Sequence, residues 1–246
     1  MTCPAYIVGP KKGSRHTHTI IFLHGKGSNG VEFANELFES ETSEDFAPGG
    51  PQTLVELFPT VRWVFLSAPQ ARSTRFDCIE SQWFDMWSVE SPEDQVDLQV
   101  QGLVESISLL RSTITEEESR MSQQKIFLGG ISQGFATAIT TFLLGDYQFA
   151  GLLGLCSWMP KGAYHAIRSS NKVEDRSNGD KTGTPVFLGH SHDDNVVPID
   201  NGIALREYLK QTGFAMDWHE YNVGGHWVNE PEGVDDIAGF LRLNMG

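Results

Sequence analysis

The 246-residue chain predicts an α/β fold: a mostly parallel, doubly wound sheet flanked by helices, in a single domain over residues 1–246. Three observations carry that prediction. Continuously apolar runs such as Ile20-Ile21-Phe22-Leu23 recur, and such runs belong to strands covered on both faces. They alternate with stretches of helical spacing along the whole chain, the pattern that builds parallel sheets through crossover connections. No internal repeat and no stretch resembling an interdomain linker interrupts the alternation.

Residues 5–8 read as a short edge strand, 11–17 as a polar turn and 19–23 as a buried strand. The Gly-rich run His24-Gly25-Lys26-Gly27-Ser28-Asn29-Gly30 leads into a helix over 31–38. Acidic, Gly/Pro-rich residues 40–51 read as a surface insertion. A short helix at 53–58 is stopped by Pro59, and a strand at 61–66 gives way to a loop at Pro69. That loop is expected to run to Ser81. Ser91-Pro92-Glu93-Asp94 has the order of a helix start, with Ser as N-cap and Pro at the first helical position. Val96, Val100, Leu103, Val104, Ile107 and Leu110 continue it at helical spacing. Residues 126–139, IFLGGISQGFATAI, pass from apolar strand through a glycine-bracketed serine into helix. Strands at 149–155, 185–188 and 216–221, helices at 202–210 and 234–243, and a loop at 169–182 complete the pattern.

The net charge is −14, from 18 basic and 32 acidic side chains. That excess disfavours nucleic acid and anionic membranes as partners. The acidic residues concentrate at 39–45, 90–97 and 116–118 and read as solvated surface. Cys3, Cys78 and Cys156 are far apart and odd in number, so no disulfide framework or Cys-rich zinc pattern is expected. Cys156 reads as a buried thiol. The N-terminus lacks a basic region followed by an apolar core, and no apolar run approaches the roughly 20 residues of a membrane span. The expectation is a cytoplasmic, reducing setting and no transmembrane segment.

Three sites compete for the chemistry. Gly25-x-Gly27-x-x-Gly30 lies between strand and helix, as a dinucleotide loop would. An acid for the ribose should then end the next strand, which instead runs into Ser67-Ala68-Pro69-Gln70. His190-Ser191-His192-Asp193-Asp194 offers metal-ligand types after a strand, but the last position of an H-x-H-x-D-H pattern is Asn195. His16 and His18 read as solvated loop residues. No cofactor and no metal is expected.

The third site is a nucleophilic serine. Gly130-Ile131-Ser132-Gln133-Gly134 fits the G-x-S-x-G turn, whose glycines let strand and helix pass close together while the serine is thrust out. A serine hydroxyl needs a base, and the base an orienting acid. Asp193 and Asp194 follow the strand at 185–188, and His226 follows the strand at 216–221. Serine, acid and histidine thus come in the order of this fold, all at carboxyl ends of strands. The residues alone leave both Asp193 and Asp194 open as that acid. The backbone N–H groups of Lys26 and Gln133 are placed to form an oxyanion hole.

With these residues the chain resembles the phospholipase/carboxylesterase family of α/β-hydrolases, which includes acyl-protein thioesterases. The matches are Leu23-His24-Gly25-x-Gly27, Ser67-Ala68-Pro69, Trp83-Phe84-Asp85, Gly129-Gly130-x-Ser132-Gln133-Gly134, Asp194-x-x-Val197-Pro198 and Gly225-His226. The resemblance implies hydrolysis of small-molecule, lipid or acyl-protein esters or thioesters by Ser132, His226 and Asp194, with Lys26 and Gln133 as oxyanion donors. Ile131 and Phe135 depart from the family pattern, and the 40–51 insertion and Trp87 resemble its longer fungal members. Trp83, Phe84, Trp158 and Met159 are candidates both for an acyl pocket and for plain core. A biosynthetic acyl-transfer or ring-closing enzyme and a non-catalytic ligand-binding relative remain the alternatives.

Overall fold

The computed structural model describes residues 5–46, 48–170, 172–176 and 179–246; Cys3 lies outside them. The elements are β1 (Tyr6–Val8), β2 (His18–Leu23), α1 (Gly30–Leu37), α2 (Leu54–Leu57), β3 (Val61–Leu66), β4 (Gln70–Ser73), β5 (Cys78–Ser81), α3 (Val96–Glu118), β6 (Ile126–Ile131), α4 (Gln133–Leu143), β7 (Gly151–Leu155), α5 (Lys161–Ser170), β8 (Val186–Ser191), α6 (Ile199–Gln211), β9 (Met216–Tyr221) and α7 (Glu232–Asn244). Seven strands form one sheet in the order β1-β3-β2-β6-β7-β8-β9. β1 runs antiparallel to β3 at one edge, and every other neighbour pair is parallel.

Side chains alternate across a strand, so each run of apolar residues feeds two cores. Ile20 and Phe22 pack with Phe33 and Leu37 of α1 and with Val234, Ile237 and Leu241 of α7. Ile21 and Leu23 pack on the other face with α3, α4, α5 and α6, through Leu103, Ile107, Phe135, Ile139, Ile167 and Leu205. The sheet is therefore covered on both sides, as its uninterrupted hydrophobic strands require.

Four local expectations are corrected. The loop before Ser81 contains an antiparallel hairpin, β4–β5, whose turn is held by Asp85 accepting from Thr74 N (3.2 Å). The helix expected from Ser91 begins at Val96, because Gln95 adopts a left-handed conformation (φ 49°) and Glu93 turns away to accept from Gly162 N (3.0 Å). The 40–51 insertion is not plain surface: Ser40 and Thr42 are buried, and Ser40 Oγ donates to Glu230 (2.7 Å) while Ser43 N donates to Asp235 (2.9 Å). His18 is a buried residue at the start of β2, and His16 bonds Thr19 Oγ1 (3.1 Å), so neither is a freely solvated side chain. Helix α5 lay in a stretch with no assigned element.

Candidate active site

β6 delivers Ser132 to the carboxyl edge of the sheet. The residue sits at φ 56°, ψ −128°, a conformation that a non-glycine residue adopts only when its surroundings impose it. Those surroundings are identifiable. Ser132 N donates to Leu155 O (2.8 Å), and Ser157 Oγ donates to Ser132 O (2.7 Å), so the turn is tied to the last residue of β7 and to the segment just beyond it. A Cβ at Gly130 would lie 2.7 Å from Gly134 C and 2.8 Å from Leu23 O, and one at Gly134 would fall on the carbonyls of Leu23 and His24. Only glycine lets strand and helix cross this closely.

His226 hangs from a glycine pair after β9, with Gly224 at φ 142° and Gly225 at φ 60°. Its Nδ1 lies 2.7 Å from Asp194 Oδ2. A carboxylate can only accept, so Nδ1 carries the proton and Nε2 keeps its lone pair. Asp194 follows β8 and is almost fully buried. Its Oδ1 accepts from Val196 N and Val197 N, both at 2.8 Å, and Val197 plugs into the core beneath. That turn is the physical content of the D-x-x-V-P spacing. Burial opposes the Asp194 charge, but hydrogen bonds from His190 and His226, the imidazole's charge and the Val197 N–H outweigh it and hold the carboxyl well below the usual carboxylate range. Asp193 is exposed, yet its Oδ1 accepts from Gly225 N (2.8 Å), gripping the backbone beside His226.

The loop after β2 is set by a buried histidine. Ala68 N donates to His24 Nε2 (2.9 Å), so Nε2 is the acceptor and Nδ1 carries the proton that Gly25 O accepts (2.6 Å). Burial lowers the His24 pKa and keeps this ring neutral. Gly25 O and Lys26 N–H belong to one trans peptide and point in opposite directions. With the oxygen held by His24, the Lys26 N–H is turned away from that ring. Gly27 N donates to Ser81 O (2.7 Å), which fastens the same loop to β5. Gln133 is the first residue of α4, where N–H groups lack helical partners.

The Trp83-Phe84-Asp85 motif supports this framework, and Trp83 and Phe84 are not among the residues lining the cavity at Ser132. Trp83 N donates to Gln133 Oε1 (2.8 Å), Gln133 Nε2 donates to Phe84 O (2.7 Å), and the Trp83 indole donates to His24 O (2.8 Å). Trp83, Phe84 and Trp158 are fully buried, and Trp158 and Met159 border a separate groove beside α5 and α6. The cavity that Ser132 and His226 share has a volume of about 480 Å³. Its apolar wall comes from Phe33, Phe76, Met86, Trp87, Val196 and Trp227. Phe76 sits on the unforeseen hairpin, so no local signal marked it; Trp227 adjoins His226 and was findable.

The metal candidates do not converge as a set. His192 pairs with Glu220 on the surface (3.1 Å) and Asp193 holds Gly225, while His190 and Asp194 meet in the interior beside Cys156. The donor atoms of this trio already serve the protein: Asp194 holds His226, His190 Nε2 lies 2.9 Å from Val197 O, and the Cys156 thiol faces Trp227 O (3.4 Å). Burial pushes the Cys156 thiol up, so it stays protonated.

A serine on a positive-φ turn, backed by an acid–imidazole pair at the carboxyl ends of a parallel sheet, defines an α/β-hydrolase. A sequence model of the phospholipase/carboxylesterase family matches residues 5–245, and the chain belongs to that family. It is 29% identical to acyl-protein thioesterase 1 of Yarrowia lipolytica over 94% of this chain and 93% of that one. It is also 29% identical to acyl-protein thioesterase 1 of Candida albicans, over 95% and 94%. Acyl-protein thioesterase 2 of Zea mays has the same fold, with a TM-score of 0.70 at 23% identity over 99% of both chains. No helix among the described residues is long and apolar enough to cross a membrane.

Proposed function

We propose that this protein hydrolyses carboxylic esters or thioesters through an acyl-enzyme on Ser132. The observation that carries the reading is the 2.7 Å Asp194–His226 pair opening, with Ser132, onto one apolar cavity. Asp194 holds the imidazole in the tautomer whose Nε2 accepts the Ser132 proton as the hydroxyl oxygen attacks the acyl carbon. The imidazolium then gives that proton to the leaving alcohol or thiol. Water repeats the sequence: His226 takes its proton, the hydroxide attacks the acyl carbon, and Ser132 leaves with its proton restored. The N–H groups of Lys26 and Gln133 stabilise the tetrahedral oxyanion in both halves. The fungal relatives named acyl-protein thioesterases support thioesters within the substrate class.

A fluorophosphonate probe should label the wild-type protein, and Ser132→Ala should abolish labelling. Hydrolysis should fall to a residue that is still roughly 10³–10⁴-fold over background, because the oxyanion donors remain. Full turnover by a folded Ser132→Ala protein would sink the serine mechanism. A panel of ester and thioester substrates of graded chain length then defines the preferred acyl group.

A further inference from the structure

Asp194 has a second imidazole on it. His190, at the end of β8 and 1% exposed, places Nε2 3.2 Å from Asp194 Oδ2, the same oxygen that receives His226. His190 Nε2 also lies 2.9 Å from Val197 O. A carbonyl can only accept, so this nitrogen carries a proton, and the one N–H is shared between Val197 O and the carboxylate. The ring is fixed from its other edge as well. Gly202 lies within α6, where glycine weakens a helix relative to alanine, and a Cβ there would fall on His190 Nδ1. The helix thus gives way to the ring.

We propose that His190 is a positioning residue for the catalytic acid: its Nε2–H restrains the pull of Asp194 on His226 and so sets the pH at which His226 becomes a free base. This inference rests on the hydrolase reading above. A carboxylate already receiving Val196 N, Val197 N and His190 offers less negative potential to the fourth donor, His226. The restraint has a use. Without that share the buried carboxylate would stabilise the imidazolium more strongly and make the ring a less ready base. The other titratable groups around Asp194 do not duplicate this role. Cys156, after β7, remains a neutral thiol; Asp193, in the same loop, is directed to Gly225 N; His192 is engaged with Glu220.

The test is the pH profile of kcat/KM on a short-chain, neutral nitrophenyl ester, with wild type and three variants. His190→Phe keeps the ring volume and removes the donor, so the acid limb should move up by about 0.5 pH unit. His190→Gln restores an N–H near the Nε2 position, and its limb should return toward the wild-type value. Gly202→Ala displaces the ring without changing its chemistry, so its limb should leave the wild-type value. A folded His190→Phe protein with an unmoved or lowered acid limb would overturn the proposal and leave His190 a packing residue. If that variant does not fold, an unmoved acid limb in Gly202→Ala overturns the proposal instead. Histidine ¹⁵N shifts of the wild-type protein give a check independent of any variant: His190 Nε2 must be protonated, and an unprotonated Nε2 ends the proposal. Full turnover by Ser132→Ala would instead defeat the underlying hydrolase reading, whatever the acid limbs do.

Discussion

The floor of the cavity, β6 and α4 with their glycines, and its rim, the β4–β5 hairpin with residues 86–90, face the same space but are held in different ways. The floor is fixed by excluded volume: Gly130 and Gly134 touch backbone, and Gln133 is bonded at both ends of its amide to residues 83 and 84. The rim is fixed largely by charged and half-exposed groups. Lys26 pairs with Glu80 (3.0 Å) and lies 5.1 Å over the Phe76 ring, while Arg75 donates to Trp87 O (2.8 Å) and faces Glu90 (3.6 Å). Partly exposed pairs of this kind contribute about 0.2–1 kcal/mol each and weaken with salt. Under the proposed function the floor would set whether the reaction occurs, and the rim how the substrate is received.

The largest effect that bears on this contrast is at Asp194. Asp194→Asn keeps the shape and reverses the hydrogen-bond logic toward His226, so kcat should drop by about four orders of magnitude, the loss known for the same change in a serine-protease triad. The same variant should alter acid stability. The folded Asp194 carboxyl is held below its ordinary range, so its contribution is present above the unfolded pKa of about 4 and is lost as pH falls further. Urea midpoints measured from neutral pH down to about pH 2 should fall less steeply for Asp194→Asn than for wild type.

Next in size is Lys26→Pro, which deletes one proposed oxyanion donor and should remove about 2.7–4 kcal/mol of transition-state stabilisation. Lys26→Ala keeps that donor and releases only the rim, so it belongs at the bottom of the scale. A Lys26→Ala protein as impaired as Lys26→Pro, on a neutral substrate, would erase the distinction between floor and rim. Between these lies Asp193. Asp193→Ala frees Gly225 N and should lower kcat about tenfold, with KM little changed. Asp193→Asn retains Oδ1 as an acceptor and should recover most of that loss. Smallest of all, Lys26→Ala and Glu80→Gln should change KM by less than about fivefold, and the difference should fade at high salt.

The floor was legible in the sequence because its causes are local. A glycine-bracketed serine between an apolar strand and a helix can be read from adjacent residues, and the spacing from Asp194 to Val197 belongs to one turn. The supporting role of Trp83 and Phe84 was hidden because Gln133, their partner, is 50 residues away; large aromatics beside a site look alike whether they line it or brace it. The hairpin was hidden for a related reason. Its strands are four residues each and largely exposed, so they carry no continuous hydrophobic signal, and its turn depends on Asp85. Helix α3 shows the opposite failure: a well-formed start signal at Ser91 was overridden because Glu93 found Gly162 instead.

His24 and His226 put the same ring to opposite uses on either side of the nucleophile. In the proposed mechanism His226 takes up and returns a proton in every turnover. His24 must take up none, because a second proton would sit on Nε2, directly against the Ala68 N–H that now donates to it. Burial keeps the proton off. The loop around Lys26 thus hangs on a ring that the interior keeps neutral.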